Sequence, residues 1–292
     1  MKNAINYYYN LVTNDLHKRD DSYYFSINNT NYLLYPFYGN TNYLNTLYRF
    51  LTSNRIFCLT IIPNKDKQMV TVINNIPYIM LNSNINNNKI NINDILKYTI
   101  IIDCKEKLEW KRKWCLKLDY YEYQMEQYEK KYPLLSESFF YYDGLTETAI
   151  SLLNLVNYKN VPLFISHNRI GKNTTLNDLY NPLNIIMDTK VRDIAEYYKN
   201  IFFYEGNPIN EVHNFIRSYN LSYDEVILLL ARFLYPSYYF DMYDEIINGK
   251  VQEDKIKVII NKVDEYETFL KNIYGLIKSK YNVPEIEWLK KT

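Results

Sequence analysis

Val161 to Asn200, VPLFISHNRIGKNTTLNDLYNPLNIIMDTKVRDIAEYYKN, is the stretch on which the fold turns. Leu163 to Ser166 reads as a short apolar strand, a polar loop opens on His167, and Leu183 to Met187 reads as a second strand ending on Asp188. A helix follows with Asp193 in its first turn. The loop runs His167, Asn168, Arg169, and an arginine there stays protonated and cannot accept a proton. Two readings of Asp188 stand side by side: a magnesium ligand, or an N-cap that satisfies open backbone N–H groups. Asp193 suits the helix dipole and reads as structural. His167 reads as a hydrogen-bonding brace for the loop rather than as an acid or base. Arg169 and Lys172 flank a candidate anion site or are two solvated cations on a polar loop.

Outward from this centre, composition narrows the classes. At 292 residues the chain buries a full core as one large domain or two lobes. A net charge of +1 provides no broad attraction to nucleic acid or anionic membrane. The 33 tyrosines, with frequent Asn, Ile and Lys, follow the codon bias of an AT-rich genome and indicate no ligand. Cys58, Cys104 and Cys115 make no Cys-x-x-Cys pair, so neither a zinc site nor a disulfide framework is indicated and reduced thiols are expected. His17 and His213 have no neighbours at metal-ligand spacing. No signal core or spanning run is present, so a cytoplasmic protein without a transmembrane segment is expected.

Before the centre, the chain predicts a helix over Ile5 to Leu16 and strands over Tyr23 to Ile27 and Tyr32 to Phe37, joined by Asn28-Asn29-Thr30-Asn31. A helix over 41–54 and strands over Ile56 to Ile62, Met69 to Ile73 and Ile76 to Leu81 follow, the last two turning at Asn74-Asn75. These elements define an antiparallel-sheet N-lobe over 1–82. A polar, Asn-rich hinge over 83–94 leads to a larger helical C-lobe over 95–292. Trp114, Leu118, Tyr121, Met125, Tyr128 and Tyr132 mark one amphipathic helix over about 104–131. Helices are also predicted over 144–157 and, from a Ser222/Glu225 capping box, over 223–234, with a long closing helix from Ile256 to Ile277. The basic run Lys105 to Lys113 reads as a solvated face.

A small sheet, a polar joint and a helical lobe holding a His-led loop and a strand-end Asp make an α+β, bilobal protein-kinase-like layout. In detail the chain resembles the spore coat kinase-like proteins, the YutH branch of the aminoglycoside phosphotransferase and choline kinase superfamily. The residues that carry this are IFCLTIIPNKDKQMVTVINNIPYIML at 56–81, ESFFYYDGLTETAI at 137–150, MDTKVRDIAEYYK at 187–199 and ILLLARFLYPSYYFDMYDEI at 227–246. The resemblance implies that His167 is the catalytic-loop histidine, Asp188 the metal aspartate and Asp193 the helix aspartate that braces the loop. It also implies a carboxylate base where Arg169 stands, and a metal-binding Asn among Asn173, Asn177, Asn181 and Asn184. The N-lobe departs further from the pattern: the 28–31 turn has no Gly, the strand from Asn31 to Pro36 has no Lys, and helix 41–54 has no acid.

Losing loop glycine, lysine, acid and base together removes the fixed charges that stabilise a transferred phosphoryl group. A degenerate, pseudokinase-type protein is therefore expected, with a structural or regulatory role, a protein partner in assembly, and a place in the spore coat if the source forms spores. No catalytic residue or cofactor is assigned on that reading. The alternative is an atypical small-molecule phosphotransferase acting on an alcohol, and it alone calls for magnesium and ATP, held through Asp188.

Overall fold

The computed structural model describes residues 1–19, 21–83, 85, 88–98, 100–102, 109–171 and 173–290. Cys104, Lys172, the first part of the basic run at 105–108 and part of the hinge lie outside the described residues. The chain separates into two compact units, one of residues 1–91 with 173–185 and one of residues 92–172 with 186–292.

The first unit opens with α1 (Lys2–Tyr9), which stops short of the expected Leu16 because Asn10 takes a left-handed φ of 54°. Strands β1 (His17–Arg19), β2 (Ser22–Ile27) and β3 (Thr30–Pro36) form an antiparallel meander. Asn28 and Asn29, at φ 49° and 64°, make a two-residue hairpin turn, and Ile27 pairs directly with Thr30. Asparagine tolerates this left-handed geometry, which matches the twist of the flanking strands. Helix α2 (Thr41–Ser53) starts where the Asn40 side chain accepts the N–H groups of Asn42 and Tyr43. Strands β4 (Thr60–Ile62), β5 (Val70–Ile73) and β6 (Ile76–Ser83) complete the sheet, and Asn74-Asn75 repeats the left-handed Asn turn.

β6 is the central strand. It pairs with β3 along one edge, while its other edge is divided between β5 at Ile76 to Ile79 and β4 at Met80 to Asn82. Its side chains alternate between two cores, Tyr78 and Met80 beneath α1 with Ile5, Phe25 and Leu34, and Ile79 and Leu81 on the other face with Leu44, Leu59 and Ile61. The strand expected over Ile56 to Ile62 shortens to β4, because Leu59 donates its N–H to Tyr180 instead of joining the ladder. Residues 173–185, grouped with the helical lobe on sequence, pack here. Leu176 N–H bonds the Asn88 carbonyl, Ile90 N–H bonds the Thr174 carbonyl, and Phe57 meets Tyr180 edge to face.

The second unit begins with α3 (Ile92–Leu96) and α4 (Trp110–Tyr128). α5 runs from Pro133 to Leu153, starting three turns before the expected 144 because Pro133 occupies the first helical position, where its missing N–H carries no cost. β7 (Phe164–His167) pairs with β8 (Ile185–Asp188), separated in sequence by the short α6 (Leu176–Tyr180) of the first unit. α7 (Lys190–Tyr204), α8 (Ile209–Ser218), α9 (Tyr223–Leu234) and α10 (Ser237–Ile247) follow. The Ser222/Glu225 capping box opens α9 with both reciprocal hydrogen bonds in place. The expected single closing helix is broken into α11 (Lys257–Ile260) and α12 (Val263–Lys280), before a last short α13 (Glu287–Lys290). The break at Lys262 turns its ammonium onto the carbonyls of Phe202 and Phe203, the open C-terminal groups of α7.

Candidate functional site

β7 is buried at all four positions, and it delivers His167 to the interior with a side chain 0% exposed. Asp193, in the first turn of α7, holds the histidine twice: Oδ2 lies 2.7 Å from the ring Nδ1, and Oδ1 accepts the His167 backbone N–H at 3.2 Å. The Tyr98 ring lies 5.4 Å from the imidazole, whose Nε2 is buried without a hydrogen-bond partner among the described residues. A histidine placed this way is fixed in orientation and enclosed.

Asp188 ends β8 and is 3% exposed. Oδ2 accepts from three side chains, Trp110 Nε1 at 3.0 Å, Arg192 at 2.9 Å and Arg232 at 3.2 Å. Oδ1 accepts the Thr189 N–H at 2.7 Å and a longer contact from Arg232. Thr189, not Asp188, occupies the N-cap position of α7, and its side chain makes no cap bond. Arg192 continues across the loop, donating through Nε to the His167 carbonyl and through its other nitrogen to the Asn168 carbonyl. Arg232 is buried in α9 against the faces of Trp110 and Trp114, 5.6 and 5.1 Å from their ring centres. Burial lowers the pKa of Arg232 against the pull of Asp188, while for Arg192 the nearby Asp188, Asp193 and Glu196 outweigh burial and raise it. Two guanidiniums and an indole N–H thus occupy the carboxylate, and as arranged it presents no open oxygen to a cation. The site does not fit Mg²⁺ in this geometry. Among the described residues no group of three or more His, Cys, Asp or Glu side chains converges as a metal site.

Arg169 projects from the loop with its side chain 60% exposed and grips Asp241 of α10 at two points, both 2.7 Å. Asn200 of α7 ties down the far end of the loop by donating to the Ile170 carbonyl. Beneath the loop, Lys199 is 1% exposed and donates to Glu196, to Ser237 and to the carbonyls of Arg232 and Tyr235 at the end of α9. Burial lowers the Lys199 pKa against the attraction of Glu196, and burial of Glu196 is outweighed by Lys199 and Ser237, which hold its carboxyl below the ordinary range.

The four candidate asparagines belong to the first unit. Asn177 accepts from Ser83, Asn181 accepts the Leu183 N–H, Asn184 donates to the Asp178 carbonyl, and Asn173 lines a cavity of about 590 Å³ against β1 to β3. Arg19, Tyr24, Ser26, Tyr35 and Asp178 also line this cavity. Burial, helped by Asp178 and opposed by Arg19, pushes the Tyr35 hydroxyl up to about 12, so it stays protonated.

Trp110, Arg192, Arg232, Asp241, Glu196 and Lys199 were not singled out from the sequence. Arg192 carried a signal, standing four residues after Asp188 across a helix start. Arg232 carried another, the one charge inside VILLLARFL, since a charge in a fully buried helix requires a buried partner.

Residues 2–273 match a protein family described as "Spore coat putative kinase YutH". The chain belongs to that family. No curated protein matches it. Among solved structures it is similar to an aminoglycoside phosphotransferase from Alicyclobacillus acidocaldarius, at 9% identity and a TM-score of 0.60 over 93% of this chain and 94% of that one. Spectinomycin phosphotransferase APH(9)-Ia, solved with ADP and spectinomycin, aligns at 11% identity and a TM-score of 0.60 over 94% and 97%. Amicoumacin kinase hAmiN, solved with AMP-PNP and Ca²⁺, aligns at 11% identity and 0.56 over 99% and 95%. At these identities the likeness establishes the kinase-like α+β fold. Among the described residues of this YutH-family chain, no helix is long and apolar enough to cross a membrane.

Proposed function

We propose that this YutH-family chain is a kinase-like protein that does not transfer phosphate and serves a structural or regulatory binding role associated with the spore coat. The observation that carries this reading is the occupation of Asp188 by Arg192, Arg232 and Trp110. A metal-holding aspartate has to leave oxygens open to Mg²⁺, whereas here two guanidiniums and an indole N–H take up the carboxylate and would have to be displaced. Support comes also from Arg169, a cation where the fold family places its proton acceptor, and from a β3 without lysine. The alternative, a magnesium- and ATP-dependent phosphotransferase acting through Asp188, requires both arginines to release that carboxylate.

A second reading keeps a ligand without the chemistry. The cavity of about 590 Å³ in the first unit falls in the range that takes small molecules, and its tyrosines offer stacking faces. Thermal unfolding with ATP, ADP and GTP, with and without Mg²⁺, separates the readings. A ligand at 100 times its Kd adds about 2.7 kcal/mol. The expected result is no Mg²⁺-dependent shift and no phosphate release. A shift independent of Mg²⁺ supports binding without transfer, and a Mg²⁺-dependent shift with turnover overturns the proposal.

A further inference from the structure

α4 carries two apolar stripes. Trp110, Trp114, Leu118, Tyr121 and Met125 are buried. Leu116, Tyr120 and Tyr123, spaced i, i+4 and i+7 on the opposite side, are 55%, 53% and 63% exposed. A surface helix needs one apolar face for its own core, so these three side chains form a second stripe that the rest of the described residues leave uncovered.

The charges of α4 are polarised as well. From Lys111 to Lys117 every charged residue is basic (Lys111, Arg112, Lys113, Lys117), and from Asp119 to Glu126 every one is acidic (Asp119, Glu122, Glu126), all of them exposed. This runs against the helix dipole, which favours acids in the first turn and bases in the last, and α4 has neither. Arg112 is held by Glu109, whereas Lys111, Lys113, Asp119 and Glu126 have no ion-pair partner among the described residues. Negative charge is crowded at the acidic end, where burial together with Glu122 and Glu147 pushes the Asp143 carboxyl of α5 up to about 6.

We infer that a second copy of this chain covers the outer stripe, with the two α4 helices antiparallel across a two-fold axis. Antiparallel pairing lays the basic half of each helix on the acidic half of the other and opposes the two dipoles, while parallel pairing sets like charge on like. Leu116, Tyr120 and Tyr123 lie in the middle of the helix, so each copy presents the same residues at the axis, as an isologous contact requires. Two tyrosines and a leucine inside a charged rim have the composition of an interface centre. This surface is independent of whether the chain binds nucleotide.

Sedimentation velocity of the full chain over a concentration series at low salt tests it. The wild type dimerises, and Leu116→Asp with Tyr123→Asp raises the dissociation constant about 100-fold, the scale of losing central interface residues. The fold of that variant is checked by its circular dichroism. Lys111→Glu with Lys113→Glu cancels the charge of the basic half and weakens the dimer, and full reversal, with Lys111, Arg112, Lys113 and Lys117 all changed to Glu and Asp119, Glu122 and Glu126 all changed to Lys, restores it by regenerating the complementarity. A wild type that stays monomeric overturns the proposal, as does association unchanged in the Leu116/Tyr123 variant. Failure of the full reversal to restore what the double substitution lost overturns the antiparallel arrangement.

Discussion

Asp188 and Asp241 each meet arginine in the helical unit, and the two contacts differ in kind. Asp188 is 3% exposed and shared between Arg192 and Arg232 with Trp110 beside them, while Asp241 meets Arg169 at side-chain exposures of 44% and 60%. Coulomb attraction inside the protein is strong and loss of hydration costly, so the buried cluster holds only while every member is present. At the surface, water screens both effects and the pair is nearly dispensable. The two aspartate–arginine contacts thus differ in setting, one enclosed in the core and the other partly open to solvent.

The comparison breaks first at Asp188. Asp188→Ala deprives both guanidiniums of the carboxylate they bond directly, leaving only the more distant charges of Asp193 and Glu196, and the expected loss is about 3–5 kcal/mol in urea unfolding. Asp188→Asn keeps the shape and an acceptor oxygen, so it loses less than Asp188→Ala but remains clearly destabilised. If Asp188→Ala unfolds like the wild type, the cluster does not support the core and its oxygens are open for other uses.

Asp193 sharpens the same point with a smaller effect. Asp193→Ala removes the acceptor of the His167 ring and of its backbone N–H, two buried donors, at about 1–3 kcal/mol for each one left unsatisfied. Because Asp188 and Asp193 share Arg192 as an electrostatic neighbour, the double variant is expected to lose less than the sum of the singles. Additive losses would mean that the histidine brace and the arginine cluster are separate.

The sequence made much of the fold legible because local chemistry set it. Asn28-Asn29 and Asn74-Asn75 are turn residues whose left-handed backbone fixes the two hairpins, Ser222 with Glu225 opens α9, and the strand, loop, strand and helix order of the central stretch fits the kinase-like fold. What remained hidden depends on contacts distant in the chain. Trp110 reaches Asp188 across 78 positions and Arg232 across 44, and no spacing rule spans such gaps. The same holds for residues 173–185, whose short helix is held in the first unit by backbone bonds to Asn88 and Leu59 that nothing in their own sequence announces. The end of β4 at Thr60 follows from one of those bonds.

The smallest effect tests the exposed side of the comparison. Arg169→Ala deletes a two-point contact with Asp241, and with the arginine mostly exposed stability changes by about 0–1 kcal/mol, towards the upper end because burial already pushes the half-exposed Asp241 carboxyl up to about 6. The difference shrinks further in high salt, as the surface component is screened. Arg169→Asp, which puts a carboxylate back into the loop, is expected to create no phosphotransfer, since Asp188 remains occupied by Arg192 and Arg232. A loss above about 2 kcal/mol for Arg169→Ala, beyond the range of exposed pairs, would place Arg169 with the buried cluster. Transfer activity in Arg169→Asp would instead show that the arginines release Asp188 when substrate binds, and the division between an enclosed Asp188 and a solvent-facing Arg169 would lose its meaning.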